Sequence, residues 1–111
     1  MSITQIARLK KIQVLKNEQK VQEDLIFKKE ADIDMENREL EYLESELEDS
    51  ADDMVRSAKD GESYEYDFNS FKCSAEDYQQ KKEDLEELNS ELEQLQLGLE
   101  NIKKKLKRFK K

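Results

Sequence analysis

Residues 85–109 read LEELNSELEQLQLGLENIKKKLKRF, with apolar residues at Leu85, Leu88, Leu92, Leu95, Leu99, Ile102, Leu106 and Phe109. Their spacing alternates three and four, the seam of a coiled-coil helix. Upstream, Tyr78 and Phe71 continue the same seven-residue series. The first half of the chain repeats it with Ile12, Gln19, Ile26, Ile33, Leu40, Leu47 and Met54, and with companions Leu15, Gln22, Lys29, Glu36, Leu43 and Ser50. That seam is half polar. Ile6, Leu9, Val14, Val21 and Leu25 widen its N-terminal stripe, as an end with room for more than one neighbour would.

Between the two series lies Asp60-Gly61, the strongest turn dipeptide in the chain. Gly61 is suited to the left-handed position that ends a helix, and Ser63 or Asp67 to capping the next one. At the front, Ser2 and Gln5 fit a capping box. The expected fold is therefore all-α: helix 1 over about 3–59, a turn at about 60–63 and helix 2 over about 64–110. A connection this short makes the two helices antiparallel neighbours in one coiled-coil hairpin spanning 1–111. Tyr64, Tyr66 and Phe68 crowd the start of helix 2. They read as an aromatic plug or, alternatively, as a second docking tip, and an extended segment with a late helix start at Ser74 is the other local possibility. Gly98, inside the best heptads, costs about 1 kcal/mol in a helix interior and marks either a close approach or nothing.

The composition suits this shape. Of 111 residues, 43% are charged and 35% apolar, whereas an ordinary domain is about 25% charged and about 45–50% apolar. A thick core around an enclosed pocket is out of reach. With no histidine, one cysteine and two glycines, the chain offers no zinc cluster, thiol pair or phosphate-binding glycine loop, so the residues argue against intrinsic catalysis and imply no cofactor or metal. Cys73 lacks a partner within the chain and is assigned no role. No stretch resembles a secretory signal or a membrane span, and with a single unpaired cysteine the expected location is a reducing cytoplasm.

Charge is distributed unevenly. Residues 1–20 carry five bases and one acid, and residues 101–111 carry seven bases and no acid. An antiparallel hairpin brings these two stretches together as a local +11, while residues 21–100 carry -19. Part of the tail complements the helix macrodipole, but seven bases exceed that need. Two like-charged ends held together suggest an acidic protein surface as partner. Arg8, Lys10, Lys11, Lys104, Lys107 and Arg108 are the candidate contacts. Nucleic acid fits poorly because the remaining -19 would repel it. An anionic membrane fits poorly because the seam already uses Leu106 and Phe109.

Two motifs mislead. Asp32-Ile33-Asp34-Met35-Glu36-Asn37 begins like a calcium loop, but Arg38 stands where that loop needs glycine. Tyr42 and Glu46 form a Tyr-x-x-x-Glu pattern, which on a helix is an i, i+4 pair.

The stretch Ile6-Ala7-Arg8-Leu9-Lys10-Lys11-Ile12-Gln13-Val14-Leu15-Lys16 resembles the opening of the stalk proteins of bacterial type III secretion export ATPases, the YscO/FliJ group. That resemblance implies a two-helix antiparallel coiled coil held in the pore of a hexameric ATPase. There it would assist ring assembly and link the ATPase to the export-gate protein at the cytoplasmic face of the inner membrane. Some members of the group also handle secretion chaperones. Prefoldin subunits are similar in length but place strands between their helices, and residues 57–70 lack the β-branched runs these need. Small hairpins of type VII secretion are similar in size and carry a Tyr-x-x-x-Glu signal late in the second helix, whereas Tyr42 lies within the first. Two functional readings follow. One is a coupling stalk that uses the basic tip; the alternative is an adaptor or chaperone that takes a secreted partner's helix along a seam left poorly filled at Gln19, Gln22 and Lys29.

Overall fold

The structure, a computed structural model, describes residues 2–61 and 65–109, and of Tyr66 the backbone alone. It is an antiparallel helical hairpin of α1 (Ile3–Lys59, 57 residues) and α2 (Glu65–Phe109, 45 residues). The capping box forms as the sequence requires. The Ser2 amide donates to Gln5 Oε1 at 2.9 Å, and the Gln5 amide donates to Ser2 Oγ at 3.1 Å, satisfying an otherwise orphaned donor of the first turn. At the far end Gly61 takes φ +74°, its amide reaching the Ala58 carbonyl at 3.4 Å, after the Asp60 amide bonds the Arg56 carbonyl at 3.1 Å. A residue with a Cβ is strained there, which is why the break falls at glycine.

The second helix starts at Glu65, close to the expected start, so the alternative of a late start at Ser74 falls away, and of the two candidate caps Asp67 is not one. Asp67 lies in the first turn of α2, where its carboxylate accepts a hydrogen bond from the Ser57 hydroxyl across the hairpin. Ser63 and Tyr64 lie outside the described residues.

The contacts group into two compact units, residues 1–31 with 89–111 and residues 32–88. In both, the half-buried positions of α1 recur with the expected three–four alternation, from Ile12 and Leu15 to Met54 and Ser57. Those of α2 do the same from Phe71 to Phe109. The register follows from three cross-helix contacts: Arg8 with Phe109, Gln22 with Leu95, and Glu36 with Lys81. Two heptads forward along α1 is matched each time by two heptads back along α2. Ile26 is thereby set against Leu92, Ile33 against Leu85 and Leu40 against Tyr78. Only Leu85 and Leu106, at 6% and 8% exposure, are fully buried among the described residues, because a pair of helices can cover just one narrow stripe of each other.

The polar half of the seam is answered layer by layer. Gln22 Nε2 donates to the Leu95 carbonyl at 2.8 Å, and a Cβ at Gly98 would sit 2.8 Å from that same nitrogen. Gly98 is therefore a clearance for the Gln22 amide. Lys29 Nζ meets Glu91 at 2.6 Å. Lys81 Nζ meets Glu36 at 2.7 Å and Glu39 at 2.6 Å, with Lys81 only 21% exposed. These two carboxylates hold the Lys81 ammonium well above its ordinary pKa, mainly through their hydrogen bonds. An ion pair at a seam position fixes register more than it adds stability, since any shift leaves a half-buried charge alone.

Candidate functional site

The unit made of residues 1–31 and 89–111 contains both ends of the chain and carries 14 bases against 7 acids, a net of +7. The other unit carries 6 bases against 21 acids, a net of -15. In the basic unit the sequence delivers its bases from opposite directions, the first turns of α1 and the last turns of α2. Arg8 stands at a seam position, and its guanidinium donates to the Phe109 carbonyl, one of the α2 carbonyls that has no partner within the helix. The contact ties the two ends together and sets a cation at the negative end of the α2 dipole.

Around this tie the surface is concave and apolar at its floor. A groove of about 570 Å³ is floored by Val14, Leu15 and Phe109 and rimmed by Lys10, Lys11, Lys105 and Arg108. On its other side Phe109 also lines a groove of about 480 Å³ with Thr4, Ala7, Arg8, Lys11 and Arg108. Val14 leads on into a third groove of about 440 Å³, where Val21 and Ile102 continue the apolar floor. Val14 and Val21 are 55% and 59% exposed, so the floor is open to a partner. Among the described residues no carboxylate lies within ion-pair distance of Lys10, Lys11, Lys105 or Arg108. Such a surface can hold an amphipathic, acidic protein segment through apolar burial at the floor and charge at the rim.

Of the six predicted contacts, Arg8, Lys10, Lys11 and Arg108 gather at these grooves. Lys104 and Lys107 are exposed and line none of these three grooves. Lys105 was not among the predicted contacts, nor was the apolar floor. Lys105 adjoins the seam residue Leu106, which the sequence shows, but that Arg108 and not Lys107 lines the groove depends on which flank of α2 the groove runs along.

The aromatic tip divides. Tyr64 lies outside the described residues and only the Tyr66 backbone is described, while Phe68 is 47% exposed and Phe71 is half-buried at a seam position. Phe71 lies in the seam, and among the described side chains of this tip Phe68 is turned outward.

Within the acidic unit, α1 runs unbroken through the calcium-like stretch, where Asp34 pairs with Arg38 at 3.1 Å and Glu36 with Lys81. Glu46 takes a hydrogen bond from the Tyr42 phenol and raises its pKa, as an i, i+4 pair on a helix does. Cys73 is exposed. Among the described residues no helix is long and apolar enough to cross a membrane. Gln22 and Lys29, expected to leave the seam open, are instead engaged across it.

The fold and the site define a class, the antiparallel helical hairpin with a basic, apolar-floored end. No family model, curated protein or solved structure matches the chain.

Proposed function

We propose that the chain is a coupling stalk of a bacterial type III secretion ATPase, docking its basic end into the hexameric ring and linking the ring to the export-gate protein. The observation that carries this reading is the groove in which Lys10 and Lys11, from the stalk-like N-terminal stretch, stand beside Lys105 and Arg108 from the C-terminal tail over a floor of Val14, Leu15 and Phe109. A ring pore lined with carboxylates would recognise that rim, and a helix or loop of the ring would cover the floor. No residue of this chain takes part in hydrolysis in this scheme; it acts through assembly and positioning of the ring.

The test replaces Arg8, Lys10, Lys11, Lys104, Lys107 and Arg108 by glutamate and measures both helicity and stimulation of the cognate export ATPase. Lost stimulation by a helical variant supports the stalk. Retained stimulation removes it and favours an adaptor or chaperone of a secretion system, type VII-like systems included, which would then need a surface other than Gln22 and Lys29 to bind a secreted partner's helix.

A further inference from the structure

Within the basic unit, the end that holds the first turns of α1 is free of acid on both helices. No residue of 1–17 or of 101–111 is acidic, and the contacts of Arg8 with Phe109 and of Gln22 with Leu95 bring the first acids met from that end, Glu18 and Glu100, to nearly one level. Arg8, Lys10 and Lys11 stand level with the last two turns of α2, which add five bases, so eight bases form a collar. Nearer the tip, α1 carries Ile3, Ile6 and Leu9, exposed by 86%, 42% and 52%. None of the three is at a seam position, and Ile3 and Ile6 lie beyond the level of Phe109, where α2 ends. A spacing of three residues fans them over about 120° of the helix surface. The first turn holds no acid, and the capping box already satisfies the Gln5 amide, which lowers the cost of taking this turn out of water.

We propose that this end is a peripheral membrane contact that enters an anionic bilayer surface tip first. Ile3, Ile6 and Leu9 reach the boundary between headgroups and acyl chains, and the collar of bases meets the lipid phosphates. From Ile3 to Leu9 the helix rises about 9 Å, within the ~5–10 Å to which interfacial apolar side chains are buried. With the tip inserted that far, Glu18 stands about 13 Å further out, beyond the ~8 Å screening length at physiological ionic strength. The surface therefore attracts the bases of the collar, while its repulsion of the acids is screened. A nucleic acid or an acidic protein groove could use the collar, but a fan of apolar side chains around a tip suits a solvent that closes on it from every side. That Leu106 and Phe109 are taken up by the seam does not count against the contact, because it uses neither. This inference does not rest on the stalk reading.

The experiment sediments the full chain with vesicles of phosphatidylcholine containing about 30% phosphatidylglycerol, and with vesicles of phosphatidylcholine alone. Binding should be at least about tenfold tighter to the anionic vesicles and should weaken as salt is raised to about 0.5 M. The triple variant Ile3→Gln, Ile6→Gln, Leu9→Gln keeps every charge. It should keep its helicity, because all three sites are exposed, and lose about tenfold or more of the binding. The chain has no tryptophan, so a single introduced one reports depth. Emission from Ile3→Trp should shift to the blue on anionic vesicles and be quenched by brominated acyl chains, whereas that from Phe27→Trp, an exposed site further along α1, should do neither. A chain that stays in the supernatant with anionic vesicles at low salt overturns the inference and leaves the end to an acidic protein surface. So does equal binding to neutral vesicles, or a triple variant that binds as tightly as the parent, since the bases alone would then account for adsorption.

Discussion

Replacing Gly98 by alanine sets two effects of similar size against each other. Alanine in a helix interior is worth about 1 kcal/mol over glycine. The added Cβ, however, would stand 2.8 Å from Gln22 Nε2 and 3.6 Å from its Cδ. The Gln22 amide is the far end of a flexible side chain and can move, but moving it gives up the bond to the Leu95 carbonyl, worth about 0.5–1.5 kcal/mol. Gly98→Ala alone should therefore leave stability within about 0.5 kcal/mol of the parent. In a Gln22→Ala background no amide is in the way, and the same substitution should stabilise by the full ~1 kcal/mol. The double-mutant cycle thus predicts a coupling of about 1 kcal/mol, read by urea unfolding of all four proteins followed at the helical circular-dichroism band. If Gly98→Ala stabilised both backgrounds equally, the glycine would not be a clearance and the reasoning would be refuted.

Lys81 gives a pH signature. Its pKa is raised by Glu36 and Glu39, so the stability it contributes is fully present below the unfolded lysine value of about 10.4 and is lost as pH rises beyond it. In a Tyr42→Phe background, which removes the other group raised among the described residues, unfolding free energy should fall above about pH 10.4, and Lys81→Met should flatten that decline. At neutral pH Lys81→Met should cost about 1–2 kcal/mol, whereas Glu36→Leu with Lys81→Leu should be near neutral or stabilising; a large loss from the double variant would contradict the seam assignment. Leu92→Asp places an unpartnered charge at a half-buried seam position and should abolish cooperative thermal unfolding, while Glu86→Lys on the exposed face should not. Ser2→Ala should speed amide hydrogen exchange in the first turn of α1 and leave the remainder unchanged, since the capping box is local.

What the sequence determined by itself was everything that depends on neighbours a few residues away. The seven-residue series named the inward positions of both helices, because a helix returns a side chain to the same face every three or four residues. Ser2 with Gln5 announced the start of α1, and Asp60-Gly61 its end, because caps and left-handed turns are chemistry within one turn of chain. The pooling of bases at one end followed from antiparallel topology alone.

Only the tertiary structure decided matters that depend on the register between the helices. Gln22, Lys29 and Glu36 look like defects when α1 is read alone. Each proves to meet a group on α2 more than 40 residues away along the chain. Gly98 likewise has no reason within α2, since its reason is the Gln22 amide opposite. Read locally, Asp67 is one of two candidate caps; across the hairpin it instead accepts the Ser57 hydroxyl. At the basic end, charge counting chose among the bases of the tail without distinction, whereas packing against α1 brought Lys105 and Arg108 to the groove and left Lys104 and Lys107 out of it. Side-chain identity sets what a helix face offers, and the offset of the second helix sets what each position receives.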